Sequence, residues 1–227
     1  MTQLLPAFDP RLVPIQADAP DEILHPAQAQ RLTPAGLRDL FTHPPVWTPE
    51  LHSERKFGNR APTQAAVLLP LVMRDELTLI LTQRTTRMST HAGQIALPGG
   101  KLDPEDADAI AAALREAQEE IGLQPDHVEV LGTMPEYVTG TAFIITPVVA
   151  LVQPGFELVP NPHEVDDVFE VPLAYLMNPL HHRRHAHDFE GVVREWYSMP
   201  YQDGDTERFI WGATAGMLRN FYRLLTA

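Results

Sequence analysis

Residues 97–123 read LPGGKLDPEDADAIAAALREAQEEIGL, in which two glycines and an acidic turn lead into an alanine-rich helical pattern. Glu119 and Glu120 follow Glu116 by three and four residues, so a helix brings the three side chains onto one face. Like charges at this spacing destabilise an isolated helix by roughly 0.2–0.5 kcal/mol per pair. Mg²⁺ commonly binds one or two carboxylates together with substrate phosphates. The crowding therefore predicts a metal site that receives a phosphate, and a solvated acidic surface is the alternative.

The second half of this stretch, REAQEEIGL (115–123), resembles the Nudix box, Gx5Ex7REUxEExGU, in which U is an aliphatic residue. The first half departs from the box, because Gly100 precedes Arg115 by fifteen positions where the box has fourteen. The upstream acidic position then falls on Asp106 with one extra residue behind it. Counting from the preceding glycine points to Glu105 instead, so the identity of the upstream carboxylate stays open.

The resemblance implies a Nudix fold: an α+β protein, an α/β/α sandwich with a mixed sheet, in which the box forms a loop–helix–loop. It also implies Mg²⁺ or Mn²⁺ as cofactor, with Glu116, Glu119 and Glu120 as metal ligands and a backbone carbonyl from Gly100. Glu116 and Glu119 are also expected to take part in catalysis. Arg115 matches the position that orients the catalytic carboxylate by ion pairing, and a surface pair with Glu119 is the alternative for this arginine.

The approach to the box, LILTQRTTRMSTHAGQIALPGG (79–100), resembles the signature LLTxR[SA]x3Rx3Gx3FPGG of the coenzyme A pyrophosphatase branch. Thr85 stands where Ser or Ala is usual, Leu97 where Phe is usual, and Ser89 where a second Arg is expected. The resemblance implies that coenzyme A (CoA) or one of its thioesters is cut at its pyrophosphate. The products would be 3′,5′-ADP and 4′-phosphopantetheine, or its acylated form.

Basic residues in and beside the branch signature are the candidates for binding the substrate. Arg84, Arg87, His91 and Lys101 could bind the pyrophosphate or the 3′-phosphate, and Gly99 belongs to a loop able to approach a ligand closely. For each basic residue, a solvated surface charge is the alternative. Alternation along the strand 77–84 places Arg84 on the face opposite the leucines.

Two further polar segments invite functional hypotheses. Glu164, in NPHEVDDVF, precedes a strand, where Nudix enzymes often supply an extra carboxylate as metal ligand or general base; a structural carboxylate is the alternative. The histidine-rich run HHRRHAH (181–187) suggests zinc, but it lacks acidic or cysteine partners at a ligand spacing. We therefore predict that it is a polar loop.

Apolar runs and turn residues predict the order of the elements. Strands are expected at 65–72, 77–84, 128–138, 143–152 and 165–174, a hairpin around Asp203 and Gly204, a short helix after Thr33, and an amphipathic helix at the C-terminus. This order favours an α+β fold. Residues 1–32 are Pro-rich and are expected to form an arm that precedes a domain at 33–227.

The composition sets limits on function. The 227 residues include 30 acidic and 17 basic side chains, so the formal net charge is −13. A surface with this charge repels nucleic acid and anionic membranes, and an anionic substrate needs metal ions or a local basic pocket. Because the chain has no cysteine, disulfides, cysteine-bound zinc and thiol catalysis are excluded. The N-terminal sequence does not resemble a secretory signal, and we expect a cytoplasmic protein that acts on a small molecule.

Two rival functions stay open at this point. A Nudix hydrolase for ADP-ribose or dinucleotides would carry the same box, and the segment 81–100 favours CoA over these substrates. A non-catalytic nucleotide-sensing module is expected to lose the box carboxylates, which are all present in this chain. The sequence does not distinguish free CoA from an acyl or oxidised form, Mg²⁺ from Mn²⁺, or one oligomeric state from another.

Overall fold

The computed structural model describes residues 8–16, 24–51, 54, 61–86, 93–189 and 191–227. The strands in these residues are β1 (Thr63–Met73), β2 (Leu77–Arg84), β3 (Ile95–Ala96), β4 (Gly99–Lys101), β5 (Val128–Thr133), β6 (Tyr137–Val138), β7 (Phe143–Val152), β8 (Val165–Pro172), β9 (Arg183–Phe189), β10 (Val192–Asp203) and β11 (Thr206–Trp211). The α-helices are α1 (Pro34–Thr42), α2 (Ala109–Ile121), α3 (Leu173–Leu176) and α4 (Gly212–Thr226). None of the helices in the described ranges is both long and apolar enough to cross a membrane.

The larger sheet is mixed, with β1 near its centre. β1 runs parallel to β7 and antiparallel to β2, and the main order of strands is β3-β2-β1-β7-β5. β4, β6 and β8 pair with β1, β7 and β2, respectively. The turn between β1 and β2 falls at residues 74–76, as the sequence predicts. Because β4 pairs with the first half of β1, the Pro-Gly-Gly loop becomes part of the sheet.

Helices cover both faces of this sheet. Ala66 and Leu68 on β1 face α2, whereas Leu69 and Leu71 face the layer that contains α1 and α4. This alternation follows from the two-residue period of a strand, and it produces a separate apolar core on each side. The expected α/β/α sandwich with a mixed sheet is therefore confirmed.

Helix α2, which carries the crowded glutamates, has defined ends. The Asp108 side chain accepts a hydrogen bond from the Ala111 amide at 2.8 Å, so Asp108 caps the helix and its first residue is Ala109. Gly122 ends the helix with φ of 73°, a left-handed conformation that glycine adopts readily. Three alanines on the inner face (Ala112, Ala113 and Ala117) let the helix lie close to the sheet.

A second sheet contains β9, β10 and β11, and it corrects one prediction. The run HHRRHAH, expected to be a polar loop, supplies most of strand β9. His185 fits inside this sheet because both ring nitrogens have partners: the Ser198 hydroxyl at 2.8 Å and the Val13 carbonyl at 3.0 Å. The predicted hairpin around Asp203 and Gly204 is confirmed, as are the short helix after Thr33 and the C-terminal helix.

The single strand expected at 128–138 is two strands, β5 and β6. Pro135 lies between them and has no N–H to donate to a neighbouring strand, which explains the interruption. The proposed division into an arm at 1–32 and a domain at 33–227 stays a prediction. Some described residues of the arm contact the rest of the chain, as where the Gln16 amide donates to the Arg184 carbonyl at 2.8 Å.

Candidate active site

The Pro-Gly-Gly loop brings backbone against the glutamates of α2. In β4, Gly99 and Gly100 pair with Val67 and Ala66 of β1. A Cβ at Gly99 would collide with the Ala66 carbonyl, and a Cβ at Gly100 would collide with the Glu116 carboxylate. Both glycines are therefore required by the close approach of the loop to its neighbours.

Glu120 is the most buried carboxylate of the site, with 3% of the residue exposed. It accepts a hydrogen bond from the Gly99 amide at 3.1 Å, and Arg84 Nη1 lies 3.5 Å from its carboxylate. Burial, together with the negative charges of Glu116 and Glu164, raises its pKa to about 7, although Gly99 and Arg84 act in the opposite direction. The negative charge at this position is therefore incompletely compensated.

Arg115 connects the acidic turn to the helix. Its Nε and Nη2 donate to the two carboxylate oxygens of Asp106 at 3.0 and 2.9 Å, and Nη1 donates to Glu116 and Glu119, each at 3.0 Å. Nη2 also donates to the Lys101 carbonyl at 3.1 Å. The ion pair between Arg115 and Glu119, which the sequence offered as the alternative for this arginine, is thus one of several contacts that Arg115 makes.

Of the two candidates for the upstream acidic position of the box, Glu105 and Asp106, Asp106 is the one that pairs with Arg115. The two-pronged hydrogen bond from Arg115 lowers the pKa of Asp106, so this carboxylate stays ionised. The turn in front of the helix accommodates the extra residue of the box. Within it, the Asp103 amide donates to the Asp106 side chain at 2.8 Å, and the Asp106 amide donates to the Asp103 carbonyl at 3.0 Å.

Glu116 and Glu119 differ in exposure. The Glu116 carboxylate is largely buried, and burial raises its pKa against the lowering effect of Arg115; the charges of Glu119 and Glu164 add to the increase. Glu119 has a mostly exposed side chain and accepts from the same guanidinium nitrogen, Arg115 Nη1. The helix therefore presents a buried carboxylate at Glu120, a half-buried one at Glu116 and an exposed one at Glu119.

Glu164 reaches the same site from the segment in front of β8. Its backbone carbonyl accepts a hydrogen bond from the Thr85 amide at 2.9 Å, immediately after the end of β2. The negative charge of Glu164 contributes to the raised pKa values of Glu116 and Glu120 on α2. Residues more than 40 positions apart in the sequence thus share one electrostatic site.

The structure describes some of the residues proposed to bind substrate and not others. Arg84 lies on the α2 side of the sheet beside Glu120, so its predicted orientation away from the leucines is confirmed. Lys101 has an exposed side chain next to the loop glycines. Arg87 and His91 lie outside the described residues, as does Ser89, which stands at the second basic position of the branch signature.

The donor set fits a hard divalent cation. Carboxylate and carbonyl oxygens suit Mg²⁺ and Mn²⁺, and the site carries more negative charge than its two arginines balance at short range. No three acidic or histidine side chains in the described ranges are gathered into a ready-made coordination shell. Arg115 Nη1 donates to both Glu116 and Glu119, which brings these two carboxylates to one guanidinium.

The contacts that hold the Glu164 segment in place are not predicted by the sequence. The amides of Val159 and Asn161 donate to the Ile121 and Glu120 carbonyls at the end of α2, at 2.9 and 2.8 Å. The dipeptide Asn161-Pro162 is a turn signal that the sequence displays, but its partner at the helix end lies 41 positions earlier. Spacing along the chain does not reveal a contact of this kind.

Comparisons with known proteins show what this chain is similar to. The family model described as NUDIX domain matches residues 62–199. The chain is 43% identical over 161 residues to a protein of Escherichia coli K12 named uncharacterized Nudix hydrolase NudL, covering 69% of this chain and 79% of the relative. A Klebsiella pneumoniae (strain 342) protein of the same name is 45% identical with the same coverage.

Solved structures are similar over about half of the chain. A Caenorhabditis elegans Ap4A hydrolase binary complex aligns with a TM-score of 0.41 and 20% identity, covering 49% of this chain and 80% of that one. A MutT protein from Methanosarcina mazei aligns with a TM-score of 0.42 and 19% identity, covering 53% and 84%.

Proposed function

This chain belongs to the NUDIX domain family, and on that premise we propose that it hydrolyses the pyrophosphate of CoA or its thioesters. The products would be 3′,5′-ADP and 4′-phosphopantetheine, or the acylated form. The observation that supports this proposal is the position of Arg84. It belongs to the segment that resembles the CoA branch, and its guanidinium lies 3.5 Å from the buried carboxylate of Glu120. The segment that favours CoA therefore borders the carboxylates of the box.

The proposed cofactor is Mg²⁺ or Mn²⁺. Glu116, Glu119 and Glu120 would hold the ion together with the Gly100 carbonyl. The bound ion would neutralise pyrophosphate oxygens and lower the pKa of the attacking water. Phosphoryl transfer depends on charge neutralisation and positioning, so the lack of a cysteine nucleophile is compatible with the reaction.

Side chains around the proposed metal site have further proposed roles. Arg115 is proposed to fix Glu116 and Glu119 in orientation, and the Asp106 carboxylate holds its guanidinium in place through two hydrogen bonds. Glu164 is proposed as a further metal ligand or as the base that accepts a proton from water. Glu164 lies in the segment before β8, so its carboxylate can bind the ion or the water from a different direction than the glutamates of α2.

Substrate binding needs local positive charge, because the chain carries a net charge of −13. Arg84 is proposed to bind a pyrophosphate oxygen, since its planar guanidinium donates parallel hydrogen bonds to phosphate. Gly99 would let the ligand approach the backbone closely, and Lys101 would contribute an exposed ammonium group. Arg87 and His91 are proposed as further phosphate contacts on the basis of the sequence alone.

We expect CoA to be cleaved with a kcat/KM at least about 10-fold higher than that of 3′-dephospho-CoA. Without the 3′-phosphate, the cation that pairs with it would lose a charge-assisted hydrogen bond worth about 1.5–3 kcal/mol. The measurement is a steady-state comparison of the two compounds at fixed Mg²⁺. Equal values, or a preference for ADP-ribose, would contradict the CoA assignment and favour a Nudix hydrolase for ADP-ribose or dinucleotides.

A further inference from the structure

The C-terminal end of α2 is bound by a distant segment of the chain. The last carbonyls of a helix have no partner within the helix and usually meet water or a cap. Here the Glu120 carbonyl accepts from the Asn161 amide at 2.8 Å, and the Ile121 carbonyl accepts from the Val159 amide at 2.9 Å. The residue that supplies the buried carboxylate thus also fixes, through its backbone, the start of the segment that leads to Glu164.

Asn161 organises the turn that follows. Its side-chain Oδ1 accepts a hydrogen bond from the His163 amide at 3.1 Å, and its carbonyl accepts from the amides of Glu164 and Val165 at 3.0 and 2.9 Å. Pro162 has a fixed φ, which restricts the turn further. An asparagine side chain that bonds the amide two residues later replaces a backbone turn, so the position of residue 164 is set by Asn161.

Glu164 is held from its other side as well. Its carbonyl accepts from the Thr85 amide at 2.9 Å, and Val165 pairs with Arg84 at the end of β2. Its backbone therefore lies between two fixed elements, the end of α2 and the end of β2. Those elements supply Glu120 and Arg84, which face each other in the site.

We propose that Asn161 is a positioning residue that fixes the Glu164 carboxylate relative to the glutamates of α2. Asn161 itself does not touch the reacting atoms. The inference rests on the proposed role of Glu164 as ligand or base. Without the side-chain hydrogen bond the turn loosens, and a displacement of about 1 Å in a reacting group can cost up to about 10²-fold in rate.

The chain supplies a matched control. Asn178-Pro179 forms the same kind of turn outside the site: Asn178 Oδ1 accepts from the Leu180 amide at 3.1 Å, and its carbonyl accepts from the His181 amide at 3.0 Å. Asn178→Ala removes the equivalent hydrogen bond at a similar local cost. An effect that comes only from loosening such a turn should therefore appear in both alanine variants.

The test uses the full-length protein with CoA and Mg²⁺, or with ADP-ribose if CoA is not cleaved. We expect Asn161→Ala to lower kcat by about 10-fold with KM changed less than about twofold, and Asn178→Ala to keep kcat within about twofold. Asn161→Asp, which retains the acceptor oxygen, should recover most of the loss. In a Glu164→Gln background, Asn161→Ala should have little further effect, because the two residues act through one carboxylate.

Several results would overturn the inference. They are normal turnover of Asn161→Ala, an equal loss in Asn178→Ala, or a full 10-fold loss that persists in the Glu164→Gln background. Normal turnover of Glu164→Gln would instead remove Glu164 from the proposed function, and the inference with it. A readout without substrate separates the two proposals: amide exchange at Glu164 and Val165 should become at least about 10-fold faster in metal-free Asn161→Ala, and unchanged exchange would refute the positioning role.

Discussion

Glu120→Gln is expected to lower the turnover of CoA by at least about 10²-fold while the fold stays intact. Glutamine retains the shape of the side chain and an oxygen that can accept from the Gly99 amide, but it removes the charge proposed to bind the metal. Loss of a metal ligand or of a preorganised charge in a dry site has an effect of this size. Steady-state kinetics at saturating Mg²⁺, with circular dichroism as a check on folding, would measure it.

The same substitution is expected to stabilise the metal-free protein at neutral and alkaline pH. The pKa of Glu120 is raised from 4.5 to about 7. The free energy of unfolding of the wild type, compared with that of Glu120→Gln, is therefore greatest below pH 4.5 and falls as the pH rises through 7. An ionised Glu120 then costs on the order of 3 kcal/mol of folding free energy. Urea unfolding with chelator should show Glu120→Gln equal to wild type near pH 4 and more stable by up to this amount at pH 8.

A control separates the loss of this charge from the loss of any acidic charge near the helix. Glu105 is exposed in the turn before α2, and Glu105→Gln should retain normal turnover because Asp106, its neighbour, is the partner of Arg115. If Glu120→Gln were nearly as active as wild type, Glu120 would not belong to the site. If it showed no increase in stability at pH 8, the pKa of Glu120 would not be raised in the folded protein.

Arg115→Lys is expected to reduce turnover by about 10²-fold even though the formal charge is preserved. The guanidinium binds both oxygens of Asp106 while a third nitrogen contacts Glu116 and Glu119, and an ammonium group cannot make these bonds in one plane. The carboxylates of α2 would lose their common orientation, and small displacements at a reacting centre have large effects on rate. The measurement is kcat and KM for CoA, with the change expected mainly in kcat.

Arg38→Lys is the matched control for this variant. Arg38 donates from Nε and Nη2 to both oxygens of Glu129, each at 2.7 Å, on a surface formed by α1 and β5. Because both side chains of this pair are exposed, its loss should have little effect on stability and leave turnover unchanged. Equal turnover of Arg115→Lys and wild type would show that Arg115 has no role in orienting the glutamates.

The sequence predicted the features that depend on a local pattern of residues. Strand β2 has the predicted bounds at 77–84, and the helix with the box glutamates follows from apolar residues at three- and four-residue spacing. The position of Arg84 on the α2 side of the sheet also followed, because side chains alternate along a strand. These features depend on neighbours within a few residues, which the sequence displays directly.

Long-range partners decided the features that the sequence did not predict. The run HHRRHAH is a strand because β10 pairs with it and because Ser198 and the Val13 carbonyl satisfy His185, and nothing within the run indicates this. The position of Glu164 depends in the same way on contacts with α2 and β2. Polar residues could be assigned to the site by resemblance, but the contacts that hold them needed the folded chain.

The most direct test of the proposed function is the identity of the products. The full-length protein would be incubated with Mg²⁺ or Mn²⁺ and a panel of CoA, acyl-CoAs, ADP-ribose, NADH and diadenosine polyphosphates, and the products separated by chromatography and identified by mass. We predict that CoA or an acyl-CoA has the highest kcat/KM and gives equal amounts of 3′,5′-ADP and 4′-phosphopantetheine or its acylated form. Intact CoA and acyl-CoAs in reactions where ADP-ribose or a dinucleotide is cleaved would contradict the account.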